Sequence, residues 1–198
     1  MTEKRYVTAD GFLSDSWRLA AQIRASGWRP DLLVALWRGG AAPGVAVHEF
    51  LKASGWDVPH APLECSSYSG IGESGGRVEF VRESGVFSAI REGSKVLVVD
   101  DVLDTGRTAA AVKKRIESAG AEMRLACVCV KPSGDPDRIA ADYSVRSLDG
   151  SWIVFPHEIC GLSLPEIERK DGELAALLAP FLAEAPGRAG SPKKETEK

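Results

Sequence analysis

Three stretches of this chain are apolar at every position or nearly so: "DLLVALW" at Asp31–Trp37, "KVLVV" at Lys95–Val99 and "MRLACVCV" at Met123–Val130. A strand that shows one face to water alternates apolar and polar residues. An unbroken run requires burial on both faces, as in a parallel sheet covered by helices. Helical patterns lie between the runs: one read over Ser14 to about Ser26 with Ser14 as N-cap, one from Pro43 to Gly55, and one through the Ala-rich segment after Thr108 to Gly120. Strand and helix in alternation predict a doubly wound α/β sheet. In such sheets ligands bind outside the carboxyl ends of the strands. Arg38, Asp100, Asp101 and Lys131 each stand just after an apolar run, so they are expected to converge on one edge.

The second run, continued as "KVLVVDDVLDTGRTAAAV" at Lys95–Val112, carries the most chemistry. A short loop of small residues between a strand and a helix aims backbone N–H groups into one space, and the helix N-terminus adds its positive dipole end. Thr105 and Thr108 add hydroxyls, and Gly106 allows a close approach or a positive φ. This is a phosphate cradle in physical terms, though neither the P-loop nor the GxGxxG pattern is present. Asp100 and Asp101 would repel phosphate, so they must face sugar hydroxyls or a Mg²⁺ that carries a polyphosphate. A ligand with a phosphate, a ribose and a magnesium-bound diphosphate meets both demands.

"VLVVDDVLDTGRT" resembles the 5-phosphoribosyl diphosphate (PRPP) motif of type I phosphoribosyltransferases. "VALWRGGAAPG" is similar to the diphosphate-binding turn of the purine enzymes, "CSSYSG" to their Ser-Tyr segment, and "VCVKPSG" with "SWIVFPHE" to the purine-binding hood of the bacterial xanthine/guanine and archaeal hypoxanthine-type members. The likeness runs from about Tyr6 to Glu158. It implies an α/β type I phosphoribosyltransferase fold with a small hood from about residues 1–12 and 131–165, in one domain over 1–183. A mobile loop is expected at about 69–94, and a polar Pro/Gly-rich tail over 184–198 reads as disordered.

The resemblance also implies roles. Asp100 and Asp101 would hold the ribose hydroxyls, directly or through Mg²⁺, with Glu158 as a further metal ligand. Asp104 would handle the proton at the purine N7. Thr105, Gly106, Arg107 and Thr108 would hold the 5′-phosphate, and Arg38 and Gly39 the diphosphate. Lys131 would donate to the purine O6, because an ammonium has donors and no acceptor and so selects an oxo group over an amino group. Trp152 would stack on the base, and Ile153 would offer it backbone groups. Ser67 and Tyr68 would open the lid loop that shields a cationic sugar from water. The function implied is transfer of the phosphoribosyl group from PRPP to a 6-oxopurine in purine salvage. The alternatives are a transferase for another base and a non-catalytic PRPP- or nucleotide-binding regulator. A homodimer or homotetramer is implied as the assembly.

Two positions depart from the family pattern: Trp37 stands where a small or aliphatic residue is usual, and His157 where an aromatic Trp is common. The net charge of −3 gives no basic field for DNA or RNA. No run approaches a membrane span and no apolar signal opens the chain, so a cytoplasmic protein is expected. Cys65, Cys127, Cys129 and Cys160 form no CxxC pair and read as reduced, buried thiols. Strict alternation would set Cys127 and Cys129 on one face of their strand.

Overall fold

The computed structural model describes residues 4–68, 77–81 and 84–184. They form two compact units, one ending at His157 and one beginning at Glu158. The first unit contains β1 (Lys4–Tyr6), α1 (Ala9–Ala25), β2 (Leu32–Trp37), α2 (Ala41–Ala53), β3 (His60–Tyr68), β4 (Arg77–Val81), α3 (Ser84–Ala89), β5 (Lys95–Leu103), α4 (Arg107–Glu117), β6 (Glu122–Val130), β7 (Tyr143–Ser147) and β8 (Trp152–Val154).

The main sheet has six strands in the order β4-β3-β2-β5-β6-β7. β4 runs antiparallel to β3, and the other neighbouring pairs are parallel. The chain winds outward from β2 in one direction and from β5 in the other, so the topological switch point lies between β2 and β5. That is where an open α/β sheet forms its ligand crevice. A separate two-stranded parallel ribbon pairs β1 with β8, Lys4 opposite Trp152.

The unbroken apolar runs are explained by two cores, one on each face of the sheet. Leu33, Leu97, Val99, Ala126 and Val128 pack with Phe12, Leu19 and Ile23 of α1 and Val47 and Leu51 of α2. Val34, Leu36, Val96, Val98 and Leu125 pack with Phe87 of α3 and Val112 and Ile116 of α4. Burying each such Val or Leu contributes about 1.5–3 kcal/mol.

Local signals were resolved differently in four places. Helix α1 starts at Ala9 rather than Ser14: the Thr8 hydroxyl accepts from the Gly11 N–H at 3.2 Å, and Asp10 complements the helix dipole. Helix α2 starts at Ala41, which puts Pro43 in the first turn, where its missing N–H is no loss. The short helix α3 has no expected counterpart; Val86 and Phe87 anchor it, with Phe87 edge-on to Phe80 of β4 at 5.5 Å. Cys127 and Cys129 do not share a face. Cys127 joins the α3/α4 core and Cys129 the α1/α2 core, beside Val128. Alternation slips by one residue at the carboxyl ends of β5 and β6, where the ladder pairs Asp100 with Cys127 and Val102 with Cys129.

The second unit contains α5 (Leu164–Lys170) and α6 (Gly172–Glu184). A capping box between Ser163 and Glu166, with a Pro in the first turn, starts α5. Pro180 lies inside α6. Among the described residues no helix is long and apolar enough to cross a membrane.

Candidate active site

Two strand–turn–helix units flank the switch point. In the first, β2 ends at Trp37 and the turn Arg38–Gly40 leads into α2. The Trp37–Arg38 peptide is cis. Three glycines let this turn close on its neighbours. A Cβ on Gly39 would lie 2.5 Å from both Asp101 carboxylate oxygens, one on Gly40 would lie 2.2 Å from the Val99 carbonyl oxygen, and one on Gly44 would lie 2.6 Å from the Ala35 Cβ. The turn is thus pressed against the carboxyl end of β5. Trp37 does not pack beneath it. Its ring is 53% exposed and, with Val45, His48 and Pro62, borders a cavity of about 370 Å³. His48 and His60, expected as structural or surface groups, form a ring pair at 4.2 Å in the same cavity wall.

In the second unit β5 delivers the acids. Successive strand residues point to opposite faces, so Asp100 lies on the α3/α4 side and Asp101 on the α1/α2 side. Burial, with the neighbouring charge of Asp101, pushes the Asp100 carboxyl well above its usual range. Burial first, and then Asp100, pushes the Cys65 thiol up to about 12 and raises that of Cys127. These thiols are protonated and inert. Cys160, expected to be buried, is exposed. Asp101 is 6% exposed, and its carboxylate meets His157 Nε2 at 3.3 Å. The His157 ring stacks on Phe155, 5.7 Å between centroids at 6°, and leans on Phe12. The departure at position 157 therefore supplies a partner for Asp101, a role that no local sequence pattern reveals.

The loop Asp104–Gly106 follows β5. Gly106 takes φ +77°, a left-handed conformation that favours glycine, and caps α4. Neither α2 nor α4 has a side-chain cap or an acid in its first turn. Helix α1, by contrast, has both. The two helices that open at the switch point leave their first N–H groups for an anion to satisfy.

Asp104 and Lys131 are 27 residues apart, yet the pairing of Leu103 with Val130 sets them side by side. Lys131 Nζ lies 2.6 Å from Asp104 Oδ2 and 5.7 Å from the centroid of the Trp152 ring. Trp152 is 57% exposed, which leaves its ring available to a ligand. Thr105 and Arg107 are exposed and Thr108 is half-buried. Arg138, absent from the sequence reading, donates from Nη1 to the carbonyl oxygens of Asp104 at 2.6 Å and Lys131 at 2.9 Å.

Four other expected residues lie on β8, on β3 and at the start of the second unit. Ile153 is buried in β8 opposite Arg5. Ser67 and Tyr68 end β3, paired through the backbone with Val78 and Arg77. Of the mobile loop expected at about 69–94, residues 69–76 and 82–83 lie outside the described residues, as does the expected tail from 185 on, while 77–81 and 84–89 form β4 and α3. Glu158 opens the second unit, where the Lys170 ammonium donates to its carbonyl. Among the described residues no three His, Cys, Asp or Glu side chains cluster as a metal cage.

The model of the phosphoribosyl transferase domain matches residues 4–162. This chain belongs to the phosphoribosyltransferase family. A hypoxanthine-guanine phosphoribosyltransferase of Lactococcus lactis is 34% identical over 92 residues, which are 46% of this chain and 49% of that one. The match thus spans about half the length of that relative. A xanthine-guanine phosphoribosyltransferase of Roseobacter denitrificans is 29% identical over 150 residues, 73% of this chain and 77% of that one. The crystal structure of a purine phosphoribosyltransferase from Pyrococcus horikoshii superposes with a TM-score of 0.65 at 28% identity, covering 81% of this chain and 97% of that one. The family assignment and the fold agree with the resemblance carried by "VLVVDDVLDTGRT".

Proposed function

We propose that this phosphoribosyltransferase acts on 6-oxopurines, joining hypoxanthine, guanine or xanthine to the phosphoribosyl group of PRPP with release of diphosphate. The observation that carries the reading is the Lys131–Asp104 pair beneath the exposed face of Trp152, set directly against the uncapped N-terminus of α4. An ammonium and a carboxylate at 2.6 Å match the O6 and N7 edge of a 6-oxopurine, which offers an acceptor to the first and a proton to the second. The relatives named for hypoxanthine-guanine and xanthine-guanine activity support the same substrate class.

In the reaction N9 attacks C1′, the C–N bond forms, and the C1′–O bond to diphosphate breaks. The proton of the base's imidazole ring passes to Asp104 as general base. Base binding replaces the ion pair: Lys131 turns from Asp104 to O6. Gly106, the first N–H groups of α4, Thr105, Arg107 and Thr108 hold the 5′-phosphate. The Arg38–Gly39 turn, with the first N–H groups of α2, holds the diphosphate.

The donor set fits Mg²⁺. Asp100 carries a raised carboxyl because it is buried beside a like charge, and a cation would relieve both causes. Asp100 and Asp101 would hold the ion, and PRPP oxygens and water would complete a hard-oxygen shell. Bound there, the ion neutralises charge on the departing diphosphate.

A base panel tests the reading: purified protein with PRPP and Mg²⁺, presented with hypoxanthine, guanine, xanthine, adenine and uracil, diphosphate release as the readout. Release with one or more 6-oxopurines supports it. Release with uracil or adenine alone replaces it with another base class. Silence with all five, alongside measurable PRPP or nucleotide binding, makes the protein a nucleotide-binding regulator.

A further inference from the structure

We propose that Arg138 is a positioning residue for base selection and proton handling, holding the Asp104 loop and the end of β6 at Lys131 in one mutual arrangement. The inference rests on the transferase reading above and adds to it a residue from outside the expected motifs. Its geometry is unusual in touching three elements of the site with one side chain. The guanidinium bridges the carbonyl oxygens of Asp104 and Lys131. The aliphatic stem covers the cradle glycine, so that a Cβ on Gly106 would lie 2.8 Å from the Arg138 Cγ.

Both acceptors are backbone carbonyls, so Arg138 fixes the path of the chain and leaves the Asp104 and Lys131 side chains to move. The proposed reaction needs that division of labour. The 2.6 Å ion pair must open to admit a base, after which its two halves must meet N7 and O6 at a set separation. Free drift of either backbone would spoil both contacts, and misplacement by about 1 Å costs on the order of 10²-fold in rate. Arginine suits the task because its planar fork stays charged and presents several donors at once. One further bond, from the Lys131 N–H to the Leu103 carbonyl at 3.0 Å, ties the same strand ends. It does not reach the Asp104 loop.

The test compares Arg138→Met, which keeps the stem over Gly106, with Arg138→Lys, which restores the charge. With wild type turning over a 6-oxopurine, Arg138→Met is expected to lower kcat roughly 10–100-fold and to raise the base KM. It should narrow the preference over adenine about tenfold while the PRPP KM moves less than about twofold. Arg138→Lys should recover part of each loss. A readout without turnover accompanies these: by calorimetry, Arg138→Met should weaken binding of GMP about tenfold and leave ribose 5-phosphate unchanged. Wild-type base selectivity, base KM and GMP affinity in Arg138→Met would overturn the proposal. So would a uniform loss of GMP and ribose 5-phosphate binding in step with the melting temperature, which would make Arg138 merely structural. Wild-type protein inactive on every base would sink the transferase reading instead, and the calorimetric comparison would still decide Arg138.

Discussion

The two turns at the switch point are built by opposite means. Both join a buried parallel strand to a helix with no side-chain cap and no acid in its first turn. The Arg38–Gly40 turn is held by backbone against backbone: Gly40 is seated on the Val99 carbonyl and on Leu36, and Gly39 on the Asp101 carboxylate. The Asp104–Gly106 loop is held by a side chain, with Arg138 reaching in from the segment after β6. A turn clamped by main chain tolerates almost no change. A loop clamped by one guanidinium can present reactive side chains that move, and its residues can be changed at little cost to the fold. The first turn should therefore fail in stability when altered, the second in chemistry.

Asp104→Asn is the largest expected effect and falls wholly on chemistry. Asp104 is 58% exposed, and an amide keeps its shape and a contact to Lys131, so the melting temperature should stay near wild type. Loss of the proton acceptor should lower kcat roughly 10²–10⁴-fold with PRPP still bound. Turnover at the wild-type level would remove Asp104 from that role and erase the chemical half of the contrast.

Gly40→Ala comes next and falls on stability. Its Cβ would lie 2.2 Å from the Val99 oxygen and 2.9 Å from Leu36 N and O, backbone atoms of two paired strands that cannot give. A cost of about 3 kcal/mol or more is expected in denaturant unfolding. Gly106→Ala should cost less, about 1–2 kcal/mol for a side chain at positive φ, because the atoms it meets belong to the flexible Arg138 and Ile139 side chains. Its kcat should fall along with that of Arg138→Met. Equal unfolding midpoints for the two alanine variants would break the comparison.

What could be read in the sequence follows from the range of each interaction. Val96–Val99 declared a two-sided burial because every residue of the run meets one core or the other. Asp100, Asp101 and Lys131 could be placed near one edge because each follows such a run, and parallel pairing brings strand ends together. Arg138 and His157 were hidden for the converse reason. Their partners are a loop carbonyl 34 residues away and a carboxylate on another strand, and nothing in "SGDPDR" or "FPHE" encodes either contact. The start of α1 was decided by competition: Thr8 and Ser14 are equally plausible caps in isolation, and burial of Phe12 in the α1/α2 core requires the earlier one. The capping box Ser163–Glu166 was a local signal present in the sequence and passed over. The slip at Cys129 has no local signature, since it arises where β5 and β6 leave strict alternation together.

The smallest expected effect separates the two adjacent acids. Asp101 meets His157 at 3.3 Å, whereas burial and the charge of Asp101 raise the Asp100 carboxyl. A raised folded-state value means that the native protein holds the proton more tightly than the unfolded chain. Stability is then lost as pH rises from the unfolded carboxylate value, about 4, through the folded one. Ionising Asp100 is a change that the fold would be more stable without, as expected of a group kept for a ligand. Asp100→Asn should raise stability by about 1 kcal/mol, or roughly 2–4 °C in melting temperature for a chain of this length, while abolishing PRPP use. The gain should shrink as pH falls toward about 4, where the carboxyl of the unfolded chain takes up its proton as well. Asp101→Asn should show no gain, because it weakens the contact that Asp101 makes with His157. A thermal scan of both variants across pH decides the matter. If Asp100→Asn is no more stable than wild type at neutral pH, the charge is already compensated within the chain, and the case for a cation between the two turns loses its main physical support.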